Sequence, residues 1–314
     1  MPEKIATRHA YGEALAELGG SNTRIVALDA DVSTCTMSCI FGEKYPRRFY
    51  NVGIAEANMV GLAAGMSTAG LIPFVHSFAM FTAGRAFDQI RNSLAYPRLN
   101  VKVVGTHAGL TVGEDGATHQ CLEDIGIIRS IPNMVVVCPC DGNETRAAVN
   151  AIAEYAGPVY LRLGRLAMET VTEYPNYQFH LGKSVTMCEG NDAAIIATGM
   201  MVQAALGASQ ILAQDGIHVR VLDMHTIKPL DADAVLKAAR ETGALVTAEE
   251  HNVLCGLGGA VAELVSGIVP VPVIRVGTED TFGKSGSAEQ LVVRFGLTKE
   301  NIAAKVKKAI SLKK

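Results

Sequence analysis

The chain has 314 residues, 49% of them apolar and 19% charged, with 31 glycines and no tryptophan. At about 150 residues per domain the length suits roughly two domains, and the composition is too apolar for a disordered chain. Twenty-eight Lys and Arg against 31 Asp and Glu leave a net charge of −3, which offers no field for nucleic acid.

In chain order, residues 7–20 carry helical period and stop on Gly19-Gly20. RIVALDA (24–30), LIPFVHS (71–77), VKVVGTH (101–107), NMVVVCP (133–139) and PVYLRLG (158–164) read as buried strands. Between them, 53–66, 81–95 and 142–156 read as helices. ETVTEYPNYQFHLGK (169–183) breaks the rhythm and reads as a linker. Strands at 192–199, 218–224, 243–250 and 271–277 follow, with helices near 201–214, 231–241, 257–268 and 299–310. The alternation predicts an α/β protein of two doubly wound domains with mainly parallel sheets. Their expected bounds are 1–170 and 184–314, joined by 171–183. The lysine-rich end, KVKKAISLKK, reads as the solvated face of a last helix.

No apolar run approaches the ~18 residues needed to cross a bilayer, and MPEKIATRHAYGEAL lacks the apolar core of a secretory signal. The seven cysteines are odd in number and form no C-x-x-C pair. They read as reduced, small apolar residues, and Cys138-Pro139-Cys140 has no His nearby to complete a zinc site. A cytoplasmic protein without its own metal site, and with no membrane or nucleic-acid partner, is expected. There is no Walker phosphate loop, no strand-linked G-x-G-x-x-G, and no magnesium-diphosphate pattern at GEDG (113–116) or CDGN (140–143). GLGGA (256–260) opens a helix, either to face a phosphate or to pack closely on a sheet.

Glu56 is the most unusual carboxylate. It sits among Ile54, Ala55, Ala57, Met59 and Val60, where burial demands a proton or a specific partner. With Gly53 as N-cap it would instead favour the helix dipole from the third helical position, and spacing alone leaves both readings open. GTHAGLTVGEDGATHQCLED (105–124) places His107, Asp115 and His119 in one glycine-rich loop after a strand, suited to sugar hydroxyls or proton transfer. Arg8 and Arg165 have the planar fork that suits a phosphate, or they make solvated salt bridges. Phe78 and Phe81, three apart, would share a helix face.

Taken together, ATRHAYGEALAELG, RFYNVGIAEANMVGLAAG, PFVHSFAMF with RAFDQIR, GTHAGLTVGEDGATHQ, and VLDMHTIKPLD followed by TAEEH resemble the C-terminal half of a transketolase. The resemblance runs through essentially the whole chain and covers a pyrimidine-binding domain and a C-terminal domain. The missing half is the domain that grips thiamine diphosphate through Mg2+ or Ca2+. The resemblance therefore implies one subunit of a split transketolase, paired with an N-terminal, diphosphate-binding subunit in an α2β2 heterotetramer. It implies transfer of a two-carbon ketol group from a ketose phosphate to an aldose phosphate, as in pentose phosphate metabolism. Glu56 would hydrogen-bond the aminopyrimidine ring and promote its imino tautomer, with Phe78, Phe81 and Asp31 lining that pocket. His107, Asp115 and His119 would bind substrate hydroxyls, His107 and His119 would move protons, and Arg8 and Arg165 would clamp the phosphate.

Three departures from the family pattern stand out, the first beside the glutamate and the other two bearing on which sugar phosphate is bound. Glu56-Ala57-Asn58 stands where the family commonly has Glu-Gln-Asn, Cys35 (between Thr34 and Thr36) replaces a phosphate-binding serine, and LGRLA surrounds Arg165. Other thiamine-diphosphate enzymes share the architecture: the β subunit of a 2-oxo-acid dehydrogenase lacks GEDGATHQ, and deoxyxylulose-phosphate synthase is normally one chain. A non-catalytic partner subunit would need none of the six residues Glu56, His107, Asp115, His119, Arg8 and Arg165. The second domain shows no chemistry of its own and is assigned to assembly.

Overall fold

A computed structural model describes residues 4–172 and 177–313. The first sheet has seven strands in the order Thr226–Lys228, Val135–Val137, Val159–Arg162, Lys102–Thr106, Ile72–Phe78, Ile25–Asp29, Phe49–Asn51. All pairings are parallel except that of Thr226–Lys228. Strand Ile25–Asp29 shows why these segments read as unbroken apolar runs. Ile25 and Ala27 pack on one face with Tyr11, Leu15, Val149 and Ile152, while Val26 and Leu28 pack on the other with Met59, Val60 and Ile90. Side chains alternate and helices cover both faces, so every position is buried.

The second sheet, in the order Val273–Thr278, Leu245–Asn252, Ala193–Ala197, Val219–Asp223, Val185–Cys188, is parallel but for its last strand. One of its faces, through Ile196, Leu222 and Leu245, joins the same apolar cluster as Val103 and Val136 of the first sheet. Thr226–Lys228 extends the first sheet from beyond the expected domain boundary, pairing with Val135–Val137. The two halves thus share both a core and a sheet.

Several local expectations are corrected. Residues 81–95 are not a regular α-helix: two π-helical turns, Met80–Arg85 and Ile90–Ala95, flank Phe87–Gln89. The helix expected from residue 53 starts at Glu56 with Ala55 as N-cap, so Glu56 is its first residue and not its third. Gly53 supplies the positive φ (72°) of the turn into it. In the segment read as a linker, Thr172 donates to Asp141 Oδ1 and Tyr177 to Glu144, while residues 173–176 fall outside the described residues. Among the described residues no helix is long and apolar enough to cross a membrane.

Candidate active site

The candidate residues follow the C-terminal ends of five adjacent parallel strands. In sheet order these are Arg165 after Val159–Arg162, His107 after Lys102–Thr106, Phe78 closing Ile72–Phe78, Asp31 after Ile25–Asp29, and Glu56 after Phe49–Asn51. At about 4.8 Å per strand the row spans about 19 Å, room for an elongated ligand. Carboxyl ends of parallel strands are where open α/β sheets collect ligand groups. Arg8 joins from the first turn of helix Thr7–Ser21.

At one end of the row, Glu56 is buried, and its Oε1 accepts from Arg85 Nη1 at 3.0 Å. The Arg85 side chain is 53% exposed, and its guanidinium lies 4.2 Å above the Phe81 ring. The wide π-helical turn carries both Phe81 and Arg85. Phe78 ends a strand and Phe81 lies in that turn, so they do not share a helix face, yet their rings stack at 5.7 Å. Asp31, exposed at φ 66°, accepts from Asn51 Nδ2, and Asn51 Oδ1 accepts from Gly53 N, both at 2.9 Å. It thus braces the turn before Glu56.

Further along, Phe78 stacks on His107 at 4.1 Å, and the His119 ring meets Phe81 edge-on at 5.3 Å. His107 is a non-glycine residue at φ 54°, a conformation that costs on the order of 1 kcal/mol and aims its ring over the strand end. Burial, then repulsion from Arg8, Arg165 and His119, pushes its pKa down to about 3. A pKa that low leaves the His107 ring uncharged at physiological pH, able to donate one hydrogen bond and accept another, but only weakly basic. Arg8 Nη1 donates to the Cys35 carbonyl at 2.6 Å; Arg165 Nη1 donates to the Val112 carbonyl and lies 3.7 Å from Glu114 and 3.9 Å from Asp115. The two guanidiniums are close enough to repel each other's charge and that of a protonated His107.

Each glycine-rich segment that could hold a diphosphate is already occupied. Leu257 and Gly258 donate their amides to Glu249 at 2.7 and 2.8 Å, closing the GLGGA helix start. Gly258 also packs against Thr247 and Arg275. Asp141 of CDGN accepts from Glu144, Val171 and Thr172, and GEDG is tied to Arg165.

Sequence reasoning passed over Arg85, which lay inside an expected helix, and Glu250, at the end of an expected strand. Two acids closing a buried strand in TAEEH were the available signal for Glu250. It also passed over a buried trio, Cys140, Glu144 and Asp223, whose donor atoms lie within 4.8 Å of one another. Glu144 accepts from the Cys140 amide and from Tyr177, whereas Asp223 has no donor to either oxygen among the described residues. Burial, then the neighbouring Glu144 carboxylate, pushes the Asp223 carboxyl well up. Asp223 and Glu144 thus bring two buried carboxyls together across the two halves of the chain, and each raises the cost of charging the other.

Two joined, doubly wound α/β domains, with a carboxylate–aromatic cluster and an arginine pair along one strand-end row, define a two-domain, mainly parallel α/β chain. The first half, residues 3–170, matches the transketolase pyrimidine binding domain, and residues 182–302 match the transketolase C-terminal domain. The chain belongs to the transketolase family and corresponds to its C-terminal section. It is 45% identical to a 6-deoxy-6-sulfo-D-fructose transketolase subunit of Clostridium sp., over 94% of this chain and 91% of that one. It is 40% identical to an apulose-4-phosphate transketolase subunit of Phocaeicola vulgatus, over 95% of each. A solved split-gene transketolase, described as an inactive beta4 tetramer, superimposes with a TM-score of 0.93 at 49% identity, over 99% of this chain and 100% of that one.

Proposed function

We propose that the chain is the C-terminal subunit of a split transketolase, transferring a two-carbon ketol group from an anion-bearing ketose to an aldose phosphate once an N-terminal, diphosphate-binding subunit joins it. The observation that carries this reading is the strand-end row, with a buried carboxylate beside stacked aromatics at one end and an arginine pair at the other. The residues fit the aminopyrimidine end of thiamine diphosphate, while the occupied glycine-rich segments leave the diphosphate and its metal to the partner.

When bound, thiamine diphosphate supplies the electron sink that lets a carbon–carbon bond next to a carbonyl break. Glu56 holds a ring nitrogen of that group through its carboxyl, with Phe78 and Phe81 as the wall and Asp31 bracing the turn before Glu56. His107, neutral, orients substrate hydroxyls; His119 moves protons at the substrate oxygens, and Asp115 binds a hydroxyl at the loop's edge. Arg8 and Arg165 hold the anionic end of the sugar, which positions the reacting carbons. The subunits of Clostridium and Phocaeicola are named for a sulfo-sugar and a sugar phosphate, and a guanidinium pair suits either anion. The solved relative is inactive as a tetramer of such chains alone, which supports the need for a partner. An α2β2 heterotetramer in the cytoplasm is the proposed working form.

Co-expression with a diphosphate-binding subunit, followed by a ketol-transfer screen over several ketose phosphates, tests this. Activity is expected from the mixture only. Full turnover with tight thiamine-diphosphate binding by the isolated chain would overturn it.

A further inference from the structure

We propose that Glu250, from the second domain, is a positioning residue for Arg165 and acts through the Leu110–Asp115 turn. The inference rests on the reading of Arg165 as part of the anion clamp. Glu250 is buried near the end of strand Leu245–Asn252, and its Oε1 accepts the Thr111 amide at 2.7 Å. One residue further along, the carbonyl of Val112 accepts Arg165 Nη1, with the Thr111–Val112 peptide between the two contacts. One peptide unit therefore links the carboxylate of one domain to the guanidinium of the other.

The turn is held on several sides. Gly109, at φ 85°, lies so close that a Cβ there would sit 2.2 Å from the Glu250 carboxyl carbon. Gln120 Nε2 donates to the carbonyls of Leu110 at 3.1 Å, Gly113 at 3.3 Å and Lys284 of the second domain at 2.9 Å. Glu250 itself is held from behind, because Arg162 Nη2 donates to its carbonyl at 2.8 Å while Arg162 Nε pairs with Asp124 at 2.8 Å. A long, half-exposed arginine keeps its geometry only if the group it leans on is fixed. The second domain supplies that fixed group, and so contributes to ligand binding beyond assembly.

The test measures binding of inorganic phosphate and, separately, of thiamine diphosphate to the chain in complex with its partner subunit. Amide exchange at Thr111 is followed in parallel. Glu250→Ala is expected to weaken phosphate about tenfold, leave cofactor affinity within twofold, and speed exchange at Thr111. Glu250→Asp, one methylene too short to reach Thr111 but still charged, is expected to match it, which keeps the test open if the alanine variant does not fold. Glu250→Gln retains an acceptor oxygen and is expected to bind phosphate within twofold of the parent. Unchanged phosphate affinity in Glu250→Ala or Glu250→Asp overturns the inference, as does equal loss of phosphate and cofactor binding, the mark of a purely structural role. If Arg165→Ala weakens phosphate while the Glu250 variants do not, only this inference falls. If Arg165→Ala binds phosphate normally, the clamp itself falls and takes this inference with it.

Discussion

Arg85 Nη1 reaches Glu56 Oε1 at 3.0 Å while the same guanidinium covers the Phe81 ring at 4.2 Å. The two residues stand 29 positions apart, one opening a helix and the other ending a π-helical turn. A buried carboxylate among apolar neighbours thereby gains a charged partner, and that partner is a side chain that is half exposed. Removing Arg85 as Arg85→Ala strips Glu56 of this partner. The isolated chain is expected to lose about 1 kcal/mol, discounted for the exposure of Arg85, or a few degrees in melting temperature by calorimetry. An unchanged melting temperature would show that the pair contributes nothing.

Glu56→Gln keeps the shape and an acceptor for Arg85 but loses the acidic group. The reconstituted complex is expected to lose at least about 10²-fold in ketol transfer, with the melting temperature nearly unchanged. A steady-state assay retaining more than a tenth of the parent rate would falsify the role given to Glu56.

His107, held near pKa 3 by burial and by two guanidiniums, is expected to show no titration between pH 5 and 8 in imidazole nitrogen NMR. Arg8→Ala and Arg165→Ala each remove a repelling charge, so the His107 midpoint should rise in both. A midpoint between 6 and 7 in the parent chain would contradict the neutral, hydrogen-bonding role.

Replacing Arg165 by alanine is expected to raise KM for a ketose phosphate by about 10- to 100-fold, the range for a charge-assisted hydrogen bond. KM for an acceptor without an anionic group should move less than twofold. Equal losses on both substrates would place Arg165 outside the anion site.

The Glu144–Asp223 pair makes stability depend on pH. Both carboxyls have folded pKa values above those of the unfolded chain. Their contribution is therefore fully present below the ordinary carboxylate range and is lost as pH rises toward the folded values. Asp223→Asn supplies a permanent donor to Glu144, so its melting temperature relative to the parent should rise by a few degrees as pH climbs above the ordinary carboxylate range. A difference that stays constant from acid pH upward would contradict the raised carboxyls.

Strands such as Val135–Val137 and Ala193–Ala197 were legible because burial on both faces writes itself as an unbroken apolar run. Glu56 stood out as a candidate for the opposite reason, one charge in an apolar helix, and His107, Asp115 and His119 because they share one loop. The short strand Thr226–Lys228 carried no such signal: it is three residues long, and its partner lies in the other half of the chain.

The amino-acid order alone determined the alternation of strands and helices, hence the parallel sheets, and it determined which loops carry ionisable groups, since both depend on neighbours within a few positions. Only the tertiary structure decided what those groups meet. Arg85 finds Glu56 across 29 residues, and Glu250 finds Thr111 across 139. Sheet order, and not sequence distance, lines Arg165, His107, Phe78, Asp31 and Glu56 along one edge. The physical reason is that a hydrogen bond or ion pair depends on separation in space, and parallel strands bring distant segments to about 4.8 Å of each other.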